Sequence, residues 1–293
     1  MAAMSTSVPE AGAVIRLGLI GDNIGDSRSP DLHRLAGRLC GLEVRYDLLV
    51  PAELGRSFED VFDACRQDGT RGVNITYPYK ERVVDRLALR NPDVARIGSA
   101  NTAVFTHGGA AGYNTDYLGF IAAYRSRFAE RPPGRVAIVG AGGVGRAIAF
   151  ALAALGATAL ALFDADGDRA GRLAAALNDA GRLPDVQAVR QLAEALDGAE
   201  GVVNCTPLGM AGKPGSAIPA ELLGGQRWAF DAVYTPVDTQ FLRAARQAAI
   251  ETLSGYELFF WQGIKAFELF TGRTPPLDAL RRQLADPLQR EAS

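Results

Sequence analysis

The chain has 293 residues, 48% of them hydrophobic and 22% charged, with a formal net charge of -2. That is enough apolar mass for two domains, and the charge balance leaves no basic footprint for nucleic acid and no charged stretch suited to a membrane surface. Three cysteines, Cys40, Cys65 and Cys205, lack C-x-x-C spacing, which argues against a disulfide framework or a zinc cluster and fits a reducing cytoplasm.

Met1 to Gly12 is small and polar, with no basic segment leading into an apolar one, so it reads as a loose tail and not a secretion signal. Val14 to Gly21 reads as a first strand, Ser29-Pro30 opens a helix through about Cys40, and Val44 to Leu49 reads as a second strand. A helix is expected over Leu54 to Asp68, a strand over Gly72 to Thr76, a helix over Glu81 to Leu89, and short strands over Thr102 to Phe105 and Ala111 to Tyr113. This alternation implies a mainly parallel α/β sheet. Arg131-Pro132-Pro133-Gly134 then breaks the chain ahead of a second α/β run. Its strands are expected at Val136, Ala159, Gly201 to Asn204 and Trp228 to Val233, with helices from Gly143 and Arg169. From Tyr256 onward the chain is helical and aromatic. The Ala-rich stretch from Ala147 to Phe163 is short for a membrane span and punctuated by Gly156 and Thr158, so it reads as a buried helix followed by a buried strand.

The loop Gly140-Ala141-Gly142-Gly143-Val144-Gly145 sits between a strand-like and a helix-like run. Its G-x-G-x-x-G spacing supplies a tight turn, bare backbone for a pyrophosphate, and close helix packing, with the helix N-terminus facing the negative charge. Acids follow the next apolar run, at Asp164 and Asp166. A dinucleotide site is the reading this context favours.

The two histidines, His33 and His107, belong to no metal-like cluster and read as satisfied or solvated side chains, and no G-x-S-x-G elbow is present. Polar clusters instead stand at the ends of apolar strands, where open α/β sheets present their ligand crevice. They are Asn74-Ile75-Thr76-Tyr77-Pro78-Tyr79-Lys80, Asn101-Thr102 and Asn114-Thr115-Asp116. Hydroxyls, amides, one ammonium and one carboxylate suit a small polyhydroxylated acid. Ser27-Arg28-Ser29 adds two hydroxyls that could receive a carboxylate; Ser29 ahead of Pro30 is equally a plain N-cap, and both roles are open at once.

With SRSP at Ser27 to Pro30, GVNITYPYK at Gly72 to Lys80, NT at Asn101, NTD at Asn114 to Asp116, GAGGVGRA at Gly140 to Ala147, NCTPLGM at Asn204 to Met210, and Gln262 before the final helix, the chain resembles the shikimate dehydrogenases, including the quinate/shikimate branch. The resemblance implies an N-terminal α/β substrate domain (1–118, completed by 256–293) and a Rossmann-type dinucleotide-binding domain (119–255), the C-terminal helices returning to the substrate domain. It implies reversible oxidation of a ring hydroxyl of shikimate or quinate to the ketone, with Lys80 and Asp116 as the proton-transfer pair. It places Ser27 and Ser29 at the substrate carboxylate and Asn74, Thr76, Asn101 and Asp116 at the ring hydroxyls. Tyr234 and Gln262 would close the site. Gly140, Ala141, Gly142, Gly143, Val144, Thr206 and Gly255 would line the cofactor, Gly255 where backbone approaches the nicotinamide.

NADP-using members resemble N-R-T-x-x-R after the second strand of the nucleotide domain, where this chain reads Asp164-Ala165-Asp166-Gly167-Asp168-Arg169. A carboxylate accepts hydrogen bonds from ribose hydroxyls and repels a 2′-phosphate, so NAD is preferred, with Asp166 as the first ribose ligand and Asp164 the next. Arg169 keeps NADP compatible. Lys265, one turn beyond Gln262, reads as a solvated or snorkelling side chain that could add charge near the pocket. The expected protein is a cytoplasmic enzyme of aromatic-acid metabolism, monomer or homodimer, with a small-molecule substrate and no metal, nucleic-acid or membrane partner. Two alternatives stand beside it: a sister dehydrogenase acting on a modified shikimate-like cyclic acid, and a non-catalytic NAD-binding regulator.

Overall fold

The computed structural model describes residues 14–90, 92–181 and 183–290. The tail over Met1 to Gly12 lies outside the described residues. Two compact units are present, one formed by 1–115 with 263–293 and the other by 116–262. Both division points fall inside helices, three residues ahead of the expected 118/119 boundary and seven beyond the expected 255/256 boundary. The Pro132-Pro133 break therefore links two elements of the second unit and does not divide the units.

The first unit opens with β1 (Val14–Ile20), α1 (Ser29–Leu39), β2 (Glu43–Leu49), α2 (Phe58–Gln67) and β3 (Gly72–Ile75). It continues through β4 (Leu89–Arg90), α3 (Pro92–Ile97), β5 (Thr102–Thr106) and β6 (Gly109–Tyr113). The sheet order is β2-β1-β3-β5-β6-β4. β1 pairs in parallel with β2 and β3, while β3/β5 and β5/β6 are antiparallel. β4/β6 is parallel as well, so the sheet is mainly parallel, with an antiparallel insert where the connection from Thr106 to Gly109 is too short for a crossover and forces a hairpin. α2 starts at Phe58, four residues later than expected, because the Ser57 hydroxyl accepts from the Asp60 N–H and caps it there. The helix expected over Glu81 to Leu89 is a 3₁₀ turn, Arg82–Arg86, followed by the short strand β4. The β-branched pair Val83 and Val84 favours α-helix poorly, and the Ala88 N–H is drawn to the Ala110 carbonyl at 3.0 Å.

The second unit runs through α4 (Thr115–Phe128), β7 (Arg135–Val139), α5 (Gly143–Ala154), β8 (Ala159–Phe163), α6 (Gly167–Asp179), β9 (Val186–Ala188) and α7 (Leu192–Leu196). Then come β10 (Gly201–Asn204), β11 (Trp228–Asp231), α8 (Gln240–Gln247), β12 (Glu251–Leu253) and α9 (Gly255–Thr271). All pairs in its sheet, ordered β12-β11-β10-β7-β8-β9, are parallel. β7 and β10 are apolar and almost wholly buried, as strands covered on both faces must be. The Trp228 indole donates to the Pro133 carbonyl at 3.0 Å and packs edge-on against Tyr124, closing the core under β11. The chain returns to the first unit through the end of α9 and α10 (Leu277–Arg290), where Arg28 donates to the Leu284 carbonyl at 3.0 Å. Among the described residues no helix is long and apolar enough to cross a membrane; Ala147 to Phe163 falls on α5 and β8.

Candidate active site

In the first unit the polar residues stand where β1, β3, β5 and β6 end. Ser29 is the first residue of α1, not its cap: Arg28 occupies that position and makes no side-chain capping bond. The Ser29 hydroxyl instead meets Ser27 Oγ at 3.2 Å, and Ser27 Oγ also receives the Ser29 N–H at 3.3 Å. Pro30 supplies the helical φ that starts the helix without a cap. The two serines are left half-buried with hydroxyls turned to each other rather than to the helix.

Across the sheet the hydroxyls and amides join into a chain. Tyr46 Oη donates to Asn74 Oδ1 at 2.9 Å, and Asn74 Nδ2 donates to Thr102 Oγ1 at 3.0 Å. Thr102 Oγ1 donates in turn to Asn101 Oδ1 at 3.1 Å, which also accepts the Thr115 N–H at 2.6 Å and Thr115 Oγ1 at 3.0 Å. Every member is buried. With Asn101 Oδ1 taken by three donors, Nδ2 is the amide's remaining polar end. Thr76 holds its place through backbone, its N–H donating to the Ile20 carbonyl at 2.9 Å while its own carbonyl receives the Tyr79 N–H at 2.9 Å. That turn, with a cis Tyr77-Pro78 bond, leaves Tyr77 exposed and Lys80 half-buried; the Lys80 carbonyl accepts from the Ala100 N–H at 2.9 Å. Tyr79 points inward, stacked on Phe58 and donating to Asp22 Oδ1 at 2.9 Å. Asn114 is structural, its amide donating to the Ser99 carbonyl and hydroxyl at 3.1 and 3.2 Å.

His33 is neither satisfied nor solvated. It is 1% exposed, its Nδ1 has no partner among the described residues, and its ring stacks on Tyr46 with centroids 4.8 Å apart. Burial lowers its pKa to about 3, so the imidazole is neutral at working pH. His107 is exposed in the hairpin turn, as a solvated side chain. Lys265 pairs with Glu268 at 2.9 Å.

The second unit presents backbone where the first presents side chains. β7 lies between β8 and β10, the strand order reverses there, and open α/β sheets present a ligand crevice at the carboxyl ends beside such a reversal. Gly140 has φ +100°, a conformation open to glycine, and a Cβ on Gly145 would overlap the Gly140 carbonyl. A Cβ on Gly142 would meet nothing within 4 Å. Gly142 is also the N-cap of α5 and gives no side-chain capping bond, and the first turn of α5, with Gly143 and Val144, carries no acid. Uncapped N–H groups beside an unfilled cradle fit a pyrophosphate. Asp164, directly after β8, accepts the Ala141 N–H at 2.7 Å on Oδ2 and the Asp166 N–H at 2.9 Å on Oδ1. Asp166 is exposed and caps α6, Oδ1 accepting the Arg169 N–H at 3.2 Å; the Arg169 side chain is exposed.

Opposite the glycine loop, Asn204 Oδ1 accepts the N–H and hydroxyl of Thr206 at 3.0 and 2.8 Å, while its Nδ2 donates to Asp231 Oδ1 at 2.9 Å. Asp231 also accepts from Thr239 Oγ1 at 2.6 Å and the Val233 N–H at 3.0 Å. Burial pushes the Asp231 carboxyl up against these bonds, and pushes the Cys205 thiol up as well, aided by the carboxylates of Asp231 and Asp116. Asp116 is buried in the first turn of α4. Tyr234 stacks on Phe259 at 5.2 Å, Gln262 Nε2 donates to the Phe259 carbonyl at 3.0 Å, and Gly255 lies against the Ala232 and Val233 carbonyls. Sequence reading missed Tyr46 and Asp231, and named Thr102 and Asn204 only within their motifs. The spacing Asp166 to Arg169 carried an N-cap signal that could have been read.

A family model for the shikimate dehydrogenase substrate binding domain matches residues 19–103, and one for the shikimate 5'-dehydrogenase C-terminal domain matches residues 255–285. The quinate/shikimate dehydrogenase (NAD(+)) of Corynebacterium efficiens is 38% identical over 273 residues, 91% of this chain and 96% of that protein. The shikimate dehydrogenase (NADP(+)) of Streptomyces avermitilis is 42% identical over 281 residues, covering 92% and 94%. The quinate dehydrogenase from Corynebacterium glutamicum, solved in complex with NAD, superposes with a TM-score of 0.87 at 35% identity, covering 93% of this chain and 99% of that one. The chain belongs to the shikimate dehydrogenase family, oxidoreductases acting on a CH–OH group.

Proposed function

We propose that the chain catalyses the reversible oxidation of a ring hydroxyl of shikimate or quinate to the ketone, with NAD preferred over NADP. The observation that carries this reading is the buried row Asn74-Thr102-Asn101, whose amides and hydroxyls are already oriented by one another. Such a row holds a ring bearing several hydroxyls, while Ser27 and Ser29 offer hydroxyls to its carboxylate. Lys80 is the group that exchanges the proton of the reacting hydroxyl, and Asp116 is its partner in that transfer. NAD, when bound, would supply the hydride acceptor for the same carbon, leaving the ketone.

The cofactor reading rests on Asp164. It extends from the end of β8 with one oxygen on the glycine loop, whereas the Asp166 carboxylate serves the α6 cap. Asp164 is therefore the stronger candidate for the ribose hydroxyls, and Asp166 adds negative charge where a 2′-phosphate would stand. The deciding experiment is a matrix of steady-state rates: shikimate, quinate and a modified shikimate, each with NAD and NADP. Turnover of shikimate or quinate at higher kcat/KM with NAD is expected. Turnover of the modified acid alone would move the chain to a sister activity, and a higher kcat/KM with NADP would overturn the cofactor assignment.

A further inference from the structure

Tyr46 contributes a phenol to the row without belonging to any of the sequence clusters that make it. It lies on β2, Asn74 lies on β3, and β1 runs between them in register Leu17 with Tyr46 and Leu19 with Asn74. The phenol crosses β1 to donate to Asn74 Oδ1 at 2.9 Å. Two further contacts fix it: the His33 ring stacked at 4.8 Å and 17°, and the Arg34 guanidinium donating to its backbone carbonyl at 2.6 Å. Tyr46 is 1% exposed, so it does not reach solvent.

An asparagine amide has a donor end and an acceptor end of nearly equal shape, and only its partners choose which faces where. Asn74 Nδ2 faces the Asn101 backbone carbonyl at 3.4 Å as well as Thr102, and a carbonyl only accepts, so Oδ1 is the end turned to Tyr46 and the phenol donates to it. Asn74 Nδ2 donates to Thr102 and Thr102 donates to Asn101 Oδ1, whose orientation the Thr115 N–H fixes separately at 2.6 Å. We propose that Tyr46 is a positioning residue that holds the Asn74 amide, and through it the Thr102 hydroxyl, in the place from which the row meets a ring hydroxyl. This rests on the reading that the row binds a polyhydroxylated ring.

Tyr46→Phe keeps the ring and its stack on His33 and removes one hydrogen atom donor. A net neutral hydrogen bond corresponds to about a three- to tenfold effect on an equilibrium constant. The KM for shikimate is expected to rise by about that factor, with kcat and the KM for NAD nearly unchanged; a merely structural role would lower the thermal midpoint without this split. The second arm is a double-mutant cycle with Asn74→Ala, or Asn74→Ser if the alanine variant does not fold. Once Asn74 is gone, Tyr46→Phe should have no further effect on KM. Independent, multiplying effects would overturn the inference, as would a Tyr46→Phe enzyme with unaltered KM beside an active wild type. If the wild-type chain neither binds nor oxidises shikimate or quinate, the functional reading falls and the inference falls with it.

Discussion

The two units solve ligand binding in opposite ways. In the first, the polar groups are side chains, buried and hydrogen-bonded to one another from Tyr46 to Thr115 before any ligand arrives. In the second, the binding surface is backbone with side chains removed, and Gly142 faces space that nothing in the unit fills. The difference follows from the ligand each must grip. Ring hydroxyls are told apart only by donors and acceptors held in fixed places, and buried polar groups must have partners to persist. A pyrophosphate is recognised by charge and N–H groups, so there the side chains need only stay out of the way.

Four substitutions break or sharpen that contrast. Lys80→Ala should lower kcat by about 10²- to 10⁴-fold, the range of a lost acid–base group, while cofactor affinity measured by titration stays put; an enzyme that kept full turnover would remove Lys80 from the proton transfer. Asp164→Ala should cut kcat/KM for NAD by about 10- to 100-fold, the cost of a lost charged hydrogen bond, and cut it less for NADP. A ratio of NAD to NADP activity that did not move would return the ribose assignment to Asp166.

Gly142→Ala inserts a methyl where the chain has room, so the thermal midpoint should hold while NAD affinity falls by the equivalent of about 1–3 kcal/mol of overpacking against the bound phosphate. Midpoint and affinity falling together would mean the loop is fold, not binding surface. The smallest effect concerns pH. His33 is held down to about 3 from an ordinary 6.5, so between those values the unfolded chain binds a proton that the native chain does not. Stability then falls as pH falls through that window, by up to about 1.4 kcal/mol per pH unit. His33→Gln should flatten the melting midpoint between about pH 6.5 and 5, and an undiminished slope would place the acid sensitivity elsewhere.

Much of this was legible in the sequence because it is local. Strand, glycine turn and helix at Gly140 are consecutive, and each glycine has a spatial reason fixed by its neighbours in the chain. Asn74, Asn101 and Lys80 could be picked out because polar residues at strand ends are conspicuous. Tyr46 could not, since an aromatic in a strand reads as core and only the register across β1 brings its phenol to Asn74. His33 failed for a related reason: its burial depends on Tyr46, Phe267 and Phe270, the last two more than two hundred residues away in sequence. The N-cap reading of Ser29 failed and the N-cap role of Asp166 went unread at the level of a single helix turn, where whether a side chain caps or faces outward is settled by one residue of offset.

Trp228, sealed under β11, and Trp261, on α9, are the two tryptophans of the chain, and both fall within 116–262. Light absorbed near the red edge of the protein spectrum is therefore emitted from the nucleotide-binding unit alone. The unit that holds the polar row is dark at that wavelength and can be followed only through its tyrosines, Tyr46 among them. A melt or a titration excited at the red edge follows one unit of the enzyme with no label attached.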